Sequence, residues 1–539
     1  MDPSCLAQET SKKGGDVERV GSIDIGGVSV TKGSMPELEG DALTAAILDS
    51  INHRRLNPRH IQLTAFAGSI GAALFVAIGS GVLSGPLCLL LAFIFWVTVV
   101  FSVAQCQMEI ATLFPLDGSF IRLAGRMVDP ALDVAVGWNH FFAQTSYVIF
   151  EATIINTLVE YWGYDQSPAI LITVWLALAK VILAAGLIFY TIVVLLGGNP
   201  LNDRFGFRYW KDPGVWAGDD AGSRLESFIN AVNVAGFVMG GPEYISMIAG
   251  EARDPRRTVP RAFKTIIHRL MVFFIGDPRP LQGQNLSYPE LFLFSDANGY
   301  LTNPSVISME RLQVPVLPSI VTAVLITTIV SAGNAYTFNA SRSLHELALE
   351  GQAPKFLRRL NNKGVPYLAV IVVMTLACLA FLALGSTSAK VLNWILNFCT
   401  AATMLNLTVM AITWIRFSAA MKAQDIDRET FLPVRSRFQP YAGYWAFWCA
   451  FIFLWVQGYA VFLSGNWSTA TFIFNYGIIA LAGSIGLGWK LFKKTRFHRA
   501  SEVDLASHLY FFDVLTEHYR HEREAAPQNL KDKILAKIF

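Results

Sequence analysis

Apolar runs of bilayer-spanning length recur from roughly residue 61 to residue 491, and no other feature of the chain limits its fold as strongly. In hydrocarbon every backbone N–H and C=O must be satisfied within the protein, so only helices and closed barrels cross a membrane. Runs of about 20 residues have helix length, about twice what a barrel strand uses. The expected fold class is therefore all-α and polytopic, with spans at roughly 61–84, 87–111, 131–159, 226–249, 316–338, 366–386, 390–415, 442–464 and 468–491. Composition agrees: 53% hydrophobic and 15% charged residues, with mean hydropathy +0.42, are too apolar for a soluble multidomain chain.

The net charge of +3 is small, and the basic residues fall in short loops between apolar runs, which gives nucleic-acid binding no support. Arg54, Arg55 and Arg59 precede the first span and place the N-terminus in the cytoplasm. Residues 1–57 are polar, lack a signal-peptide apolar region, and are expected to be a disordered cytoplasmic leader. Residues 58–495 form the membrane domain, and 496–539 a cytoplasmic tail. That tail is charged and partly amphipathic at Leu505, Leu509 and Phe512, which suits a solvated or membrane-surface helix. The six cysteines have the spacing of neither a disulfide framework nor a metal site, and no cofactor motif or catalytic triad is present.

Charge parity fails in two places. Between Ser167 and Gly197 lies one apolar run, enough for one long tilted helix and too short for two. Counting it once puts the dense basic loop with Arg253, Arg256, Arg257, Arg261 and Lys264 outside the cell, against the positive-inside rule. A span is thus expected to be missing upstream, near 165–180. The run from Ile266 to Ile275 is interrupted by His268 and Arg269 and stops at Gly276-Asp277-Pro278, well short of a span. With both defects, the later basic loops and the tail return to the cytoplasmic side.

Two spans are broken by glycine. The first carries Gly68-Ser69-Ile70-Gly71-Ala72-Ala73, and a later one Phe237-Val238-Met239-Gly240-Gly241-Pro242-Glu243. Unbonded backbone at membrane depth is tolerated where it lines a protein cavity, and paired breaks point to the midplane binding site of a secondary transporter. A half-helix N-terminus at the first break would suit a carboxylate. The plainer reading is that small residues there permit close helix packing. Glu243 shifts the balance, because an intramembrane carboxylate is costly and marks function by default. Lys180, with no acidic neighbour on its own helical turn, is either a proton-exchanging group with a partner in another span or a lysine snorkelling to the interface. Glu151 is a candidate partner for it. Glu109 lies nearer a membrane end and reads as structural.

Several stretches resemble fungal amino acid permeases of the amino acid, polyamine and organocation superfamily. They include Leu56-Asn57-Pro58-Arg59-His60-Ile61, Asp117-Gly118-Ser119-Phe120-Ile121-Arg122, Ala249-Gly250-Glu251-Ala252-Arg253-Asp254-Pro255-Arg256 and Ala348-Leu349-Glu350-Gly351-Gln352-Ala353-Pro354. The resemblance runs from about residue 55 to residue 505 and implies a LeuT-like inverted-repeat fold of twelve helices. It implies a plasma-membrane importer, substrate carboxylate held by Gly68, Ser69, Ile70, Gly71 and Ala72, and substrate amine facing carbonyls near Gly240 and Gly241. Phe237 matches the family's aromatic gate, and Lys180 a lysine that links the first helix to the coupling site in proton-coupled members. Two departures stand out: Ala72 and Ala73 replace threonine and glycine, and Gly241-Pro242-Glu243-Tyr244 replaces Gly-Thr-Glu. The second resembles a subgroup associated with carnitine and polyamines. The expected partners are an amino acid or a carnitine- or polyamine-like substrate, protons and the lipid bilayer. The same resemblance places the gaps between about Val174 and Lys180, where a fourth helix and the start of the fifth are lacking, and between Gly276 and Asp277, where most of the seventh is. A non-transporting sensor with the same fold, or an inactive truncated isoform or misassembled gene model, is the alternative.

Overall fold

A computed structural model describes residues 22–25, 28–31, 54, 78–160, 176–204, 214–218, 220–271, 304–361, 365–384 and 388–525. Outside the helical body, β1 (Ser22–Ile25) and β2 (Val28–Thr31) pair antiparallel within the leader, with Ser22 opposite Thr31 and Ile25 opposite Val28.

Among the described residues, five helices are long and apolar enough to cross a membrane by length and composition: Pro86–Leu113, Leu317–Leu349, Val391–Ala423, Tyr441–Phe462 and Thr469–Lys493. The body begins with α1 (Ile78–Val82) and α2 (Pro86–Leu113), the latter opened by a proline whose missing N–H costs nothing at a helix start. Amphipathic α3 (Ser119–Met127) shares an apolar cluster, through Leu123 and Met127, with Ile110 and Leu113 at the end of α2. Next comes α4 (Pro130–Glu160), 31 residues long, whose first turn is capped by Asp129 accepting from Ala131 N at 2.9 Å. After α5 (Leu176–Leu195), α6 (Ala221–Val238) starts at an Asp220–Ser223 capping box. It stops at Val238, and a separate turn of helix, α7 (Pro242–Met247), follows. The remainder comprises α8 (Pro255–Leu270), α9 (Pro304–Arg311), α10 (Leu317–Leu349), α11 (Tyr367–Ala377), α12 (Ser388–Ala423), the short α13 (Arg428–Phe431), α14 (Tyr441–Val456), α15 (Thr469–Lys493) and α16 (Leu509–Ala525). One contiguous apolar core joins α2, α4, α6, α10 and α12.

Charged loops gather at one end of the bundle. Arg122 pairs with Glu350 at 2.9 Å, Arg342 with Glu251, and Lys490 with Asp129. Glu109, fully buried, accepts from Trp414 Nε1 at 2.8 Å, from Ser436 N at 2.7 Å and from Arg428, so it ties α2 to α12 and to the loop before α14. This basic end fixes helix directions. Asp133 meets Gln352 there, while Glu151 faces Gly333 deeper in the bundle, so α4 runs away from the basic end. At the other end, Tyr190 reaches Ser308, and Val194 packs with Leu312 just before α10 starts. Helix α5 therefore runs in the same direction as α4, and residues 161–175 between them lie outside those described.

The tail corrects the expectation of a solvated or membrane-surface helix. Val503, Leu505, Phe511, Phe512, Leu515 and Tyr519 are buried against Ile110, Phe114, Leu123 and Phe417, in a second core at the basic end. Polar contacts hold it: Arg126 Nε donates to Asp504 O at 2.7 Å, Gln424 Nε2 to Val503 O at 2.7 Å and His498 N to Val128 O at 2.9 Å. Arg253 pairs with Glu522, Arg256 with Asp513 and Arg523 with Asp254. Arg54 donates to Pro115 O at 3.2 Å and stands over the Phe512 ring. The pattern seen in sequence as amphipathic was real, but protein covers its apolar face.

Burial opposes the charged form of Asp504, yet the Arg126 guanidinium and hydrogen bonds from Ser507 and Ala506 hold its carboxyl below the usual range. Burial, then Arg126, pushes the His508 imidazole below its ordinary 6.5. Docking is thus fully supported above the free pKa values of both groups and weakens as pH falls, first through protonation of His508 in the released tail. Limited proteolysis should cut the tail several-fold faster at about pH 5 than at about pH 7.5. Equal rates would show that these groups do not govern docking.

Candidate functional site

The break between α6 and α7 sits in the buried centre, with Phe237, Val238, Met239 and Glu243 all at most 4% exposed. Gly241 N donates to Glu243 Oε2 at 3.2 Å, so the carboxylate caps the half-helix that carries it and lies at that helix's positive end. A Cβ at Gly240 would stand 2.9 Å from Glu243 Oε1, which explains a glycine there. Both sides of the break are pinned to α2. Trp96 Nε1 donates to Val232 O at 2.7 Å, and Ser246 Oγ donates to Gln107 Oε1 at 3.1 Å. Gln107 Nε2 in turn donates to Met410 O on α12 at 3.3 Å. Gly81 of α1 lies against Val234, so the chain just beyond the expected first break touches α6 just before the second.

A column of aromatic rings stands beside the break. Phe237 stacks on Tyr147 at 5.4 Å and meets Phe150 edge-on at 4.8 Å. Tyr147 stacks in turn on Tyr336 at 4.9 Å, and Tyr336 contacts Tyr244 at 6.3 Å. The Tyr147 hydroxyl is 3.1 Å from Thr403 Oγ1 on α12. Four elements thereby contribute rings: two from α4 and one each from α6, α7 and α10.

Glu151, 2% exposed, lies one turn beyond Tyr147 on the same face of α4. Its Cβ is 3.8 Å from where a Cβ on Gly333 would be, and its charge is felt by Tyr147, Tyr336 and Cys399. Tyr147 and Tyr244 are also within electrostatic range of Glu243. Two carboxylates and three tyrosines therefore share one buried region, and among the described residues no metal-ligand cluster lies anywhere in the chain.

Of the residues expected from sequence to form the site, Phe237, Gly240, Gly241, Glu243 and Glu151 converge here. Gly68, Ser69, Ile70, Gly71 and Ala72 lie outside the described residues. Lys180 falls on α5, which packs against α10, but its side chain lies outside those described. Sequence reasoning missed Tyr147, Tyr244, Tyr336, Cys399 and Gly333. The available signal was spacing: Tyr147 and Glu151 are four apart, and Gly333 and Tyr336 three apart, each pair on one helical face within a long apolar run.

Membrane-length helices packed around a broken helix, with buried acids and aromatic rings at the break, make a multi-pass membrane protein of the permease type. Residues 60–175 and 171–502 match the family model described as Amino acid permease. Similar proteins include the general amino acid permease AGP2 of Saccharomyces cerevisiae, 35% identical over 538 aligned positions that take in 91% of this chain and 87% of that one. A proline-specific permease of Emericella nidulans is 31% identical, covering 90% and 93% of the two chains. A lysine-specific permease of Saccharomyces cerevisiae is 29% identical, covering 98% and 90%. The chain belongs to the amino acid permease family, whose members are transporters and not enzymes.

Glu243 and Glu109, both buried, should separate by role. Glu243→Gln, at the break, should lower uptake more than Glu109→Gln at equal surface expression. Glu109→Gln should instead lower the melting temperature of the purified protein, because a neutral side chain beside Arg428 forfeits about 1–3 kcal/mol. Equal losses of uptake would remove Glu243 from the site.

Proposed function

We propose that this chain is built to import, across the plasma membrane, amino acids or related organocations whose positively charged end enters the aromatic and acidic centre, with protons as the coupling ion. The single observation that carries this reading is the meeting of Tyr147, Tyr244, Tyr336 and Phe237 with Glu151 and Glu243 at the break. Aromatic faces and carboxylates both attract cations, most strongly when desolvated, so the requirement on an entering solute is a positively charged end. Carnitine-like and polyamine-like solutes satisfy that requirement, as does lysine; the substrates printed in relatives' names differ among themselves and do not choose. The N- and C-termini are cytoplasmic in this reading, because the basic end holds the loops that the positive-inside rule assigns there. The substrate carboxylate goes to Gly68, Ser69, Ile70, Gly71 and Ala72. Lys180 and Glu151 exchange the proton.

A second reading is a chain with the permease fold that lacks one crossing helix and most of another, and binds solute without moving it. Helices α4 and α5 run in the same direction, and only residues 161–175 separate them, fewer than the about 20 a span requires. The two family matches abut and overlap at residues 171–175. An apolar groove of about 630 Å³, lined by Leu183, Leu187, Phe189, Tyr190, Val321 and Val324 between α5 and α10, is the surface a lost neighbour would leave. The 538 positions aligned with AGP2 exceed the 91% of this 539-residue chain that they cover, so tens of them have no residue here.

Uptake of labelled lysine and carnitine into a permease-deficient host distinguishes the readings. The importer reading expects saturable uptake that rises as the outside is acidified, with Lys180→Arg abolishing the pH response, since arginine stays charged through the cycle. Binding to purified protein without uptake would establish the second reading. A normal pH response in Lys180→Arg would remove that lysine from coupling.

A further inference from the structure

Helix α4 presents Asp133, Gly137, His140, Gln144, Tyr147 and Glu151 on one face, in alternating steps of four and three residues. Helix α10 lies antiparallel against that face. The register is fixed at four points: Glu151 opposite Gly333, Tyr147 on Tyr336, Gly137 against Leu347, and Asp133 bonded to Gln352 at 3.0 Å. Between the second and third points, the same register brings Gln144 and His140 beside Asn339 and Ser343, all four of them buried.

Those four side chains carry polar atoms that find no hydrogen-bond partner among the described residues: Gln144 Oε1, His140 Nε2, Asn339 Nδ2 and Ser343 Oγ. Buried polar atoms rarely stay unpaired, and a run of them along one seam is what ordered water satisfies. The state of His140 follows from its neighbours. Asn139 Nδ2 donates to Asn406 Oδ1 at 2.8 Å, so the amide nitrogen of Asn406 faces His140 Nδ1, at 3.5 Å. Nδ1 must then accept, and the imidazole proton sits on Nε2, a fully buried donor with no protein acceptor among the described residues. Phe120 packs edge-on against the ring at 5.3 Å and fixes its plane.

We propose that the seam between α4 and α10 is a hydrated proton path joining Glu151 to the charged network at the basic end, and that His140 Nε2–H is the positioning residue that anchors its water chain. Glu151, Glu243, Tyr147, Tyr244, Tyr336 and Cys399 are the titratable groups at the end near the break. Asp117, Arg122, Asp133, Glu346 and Glu350 are those at the basic end. A proton leaving the Glu151 carboxyl is taken by the first water, each water passes one proton on, and one proton arrives at the carboxylates of the basic end. Charge is conserved at every step, and no redox partner is needed. This inference rests on the proton coupling proposed above and goes beyond it in assigning the route.

The test compares His140→Leu, which removes the donor, with His140→Gln, which keeps an N–H on a side chain of similar reach. In vesicles holding the full chain, His140→Leu should slow net proton-driven uptake about tenfold, the worth of one buried donor, and leave substrate exchange between preloaded and external pools within about twofold. His140→Gln should restore net uptake. Unchanged net uptake in His140→Leu would overturn the path, as would equal losses of uptake and exchange in both variants, which mark a packing role. Wild-type uptake unaccompanied by protons would overturn the coupling itself and the route with it. Independently, an experimental map of the wild-type protein should show water on His140 Nε2 and Ser343 Oγ, and a dry seam would contradict the proposal.

Discussion

The helical hydrogen-bond ladder is interrupted between Val238 and Pro242, deep in the protein, and the rest of the structure is arranged around that fact. Such backbone is costly in a membrane unless protein satisfies it. Glu243 caps the new helix start, Met239 N still reaches Ala235 O at 3.0 Å, and α2 clamps both flanks through Trp96 and Gln107. The break is therefore held rigid by its surroundings.

What surrounds the gap follows from the antiparallel pairing of α4 with α10. That pairing sets Tyr147 on Tyr336 and Glu151 against Gly333, and carries on to the charged residues at the basic end. Site and seam thus belong to one interface, and a shift of α10 along α4 would move both together. The tail adds a second layer at that end, where Asp513 and Glu522 of α16 pair with Arg256 and Arg253, residues that directly follow the broken helix. Tail docking and the position of α7 are consequently linked through a short stretch of chain.

Much of this was legible in the sequence, because membrane helices are long, continuous and apolar. The later break was visible as Gly240-Gly241-Pro242, and Glu243 as a carboxylate in the wrong solvent. Glu109 read as structural from its place near a membrane end, and the structure gives it three donors. The tyrosines escaped notice because a lone tyrosine in an apolar run resembles any core aromatic until its partners on other helices are known. The tail was misjudged for a related reason: a periodic apolar face reports that something covers it, and here the cover came from Ile110, Phe114 and Phe417, far away in sequence.

The central claim is that the buried aromatic and acidic region around Glu151 holds the substrate. Gly333 offers a direct probe, since among the described residues a Cβ there meets only Glu151, at 3.8 Å, and fits without displacement. In a Gly333→Cys variant, a small cationic thiol reagent should modify the new cysteine, and saturating transported solute should slow that reaction several-fold. Protection at Gly333→Cys is the predicted result. Solute binding at full strength with no protection there would place the site elsewhere and contradict the account.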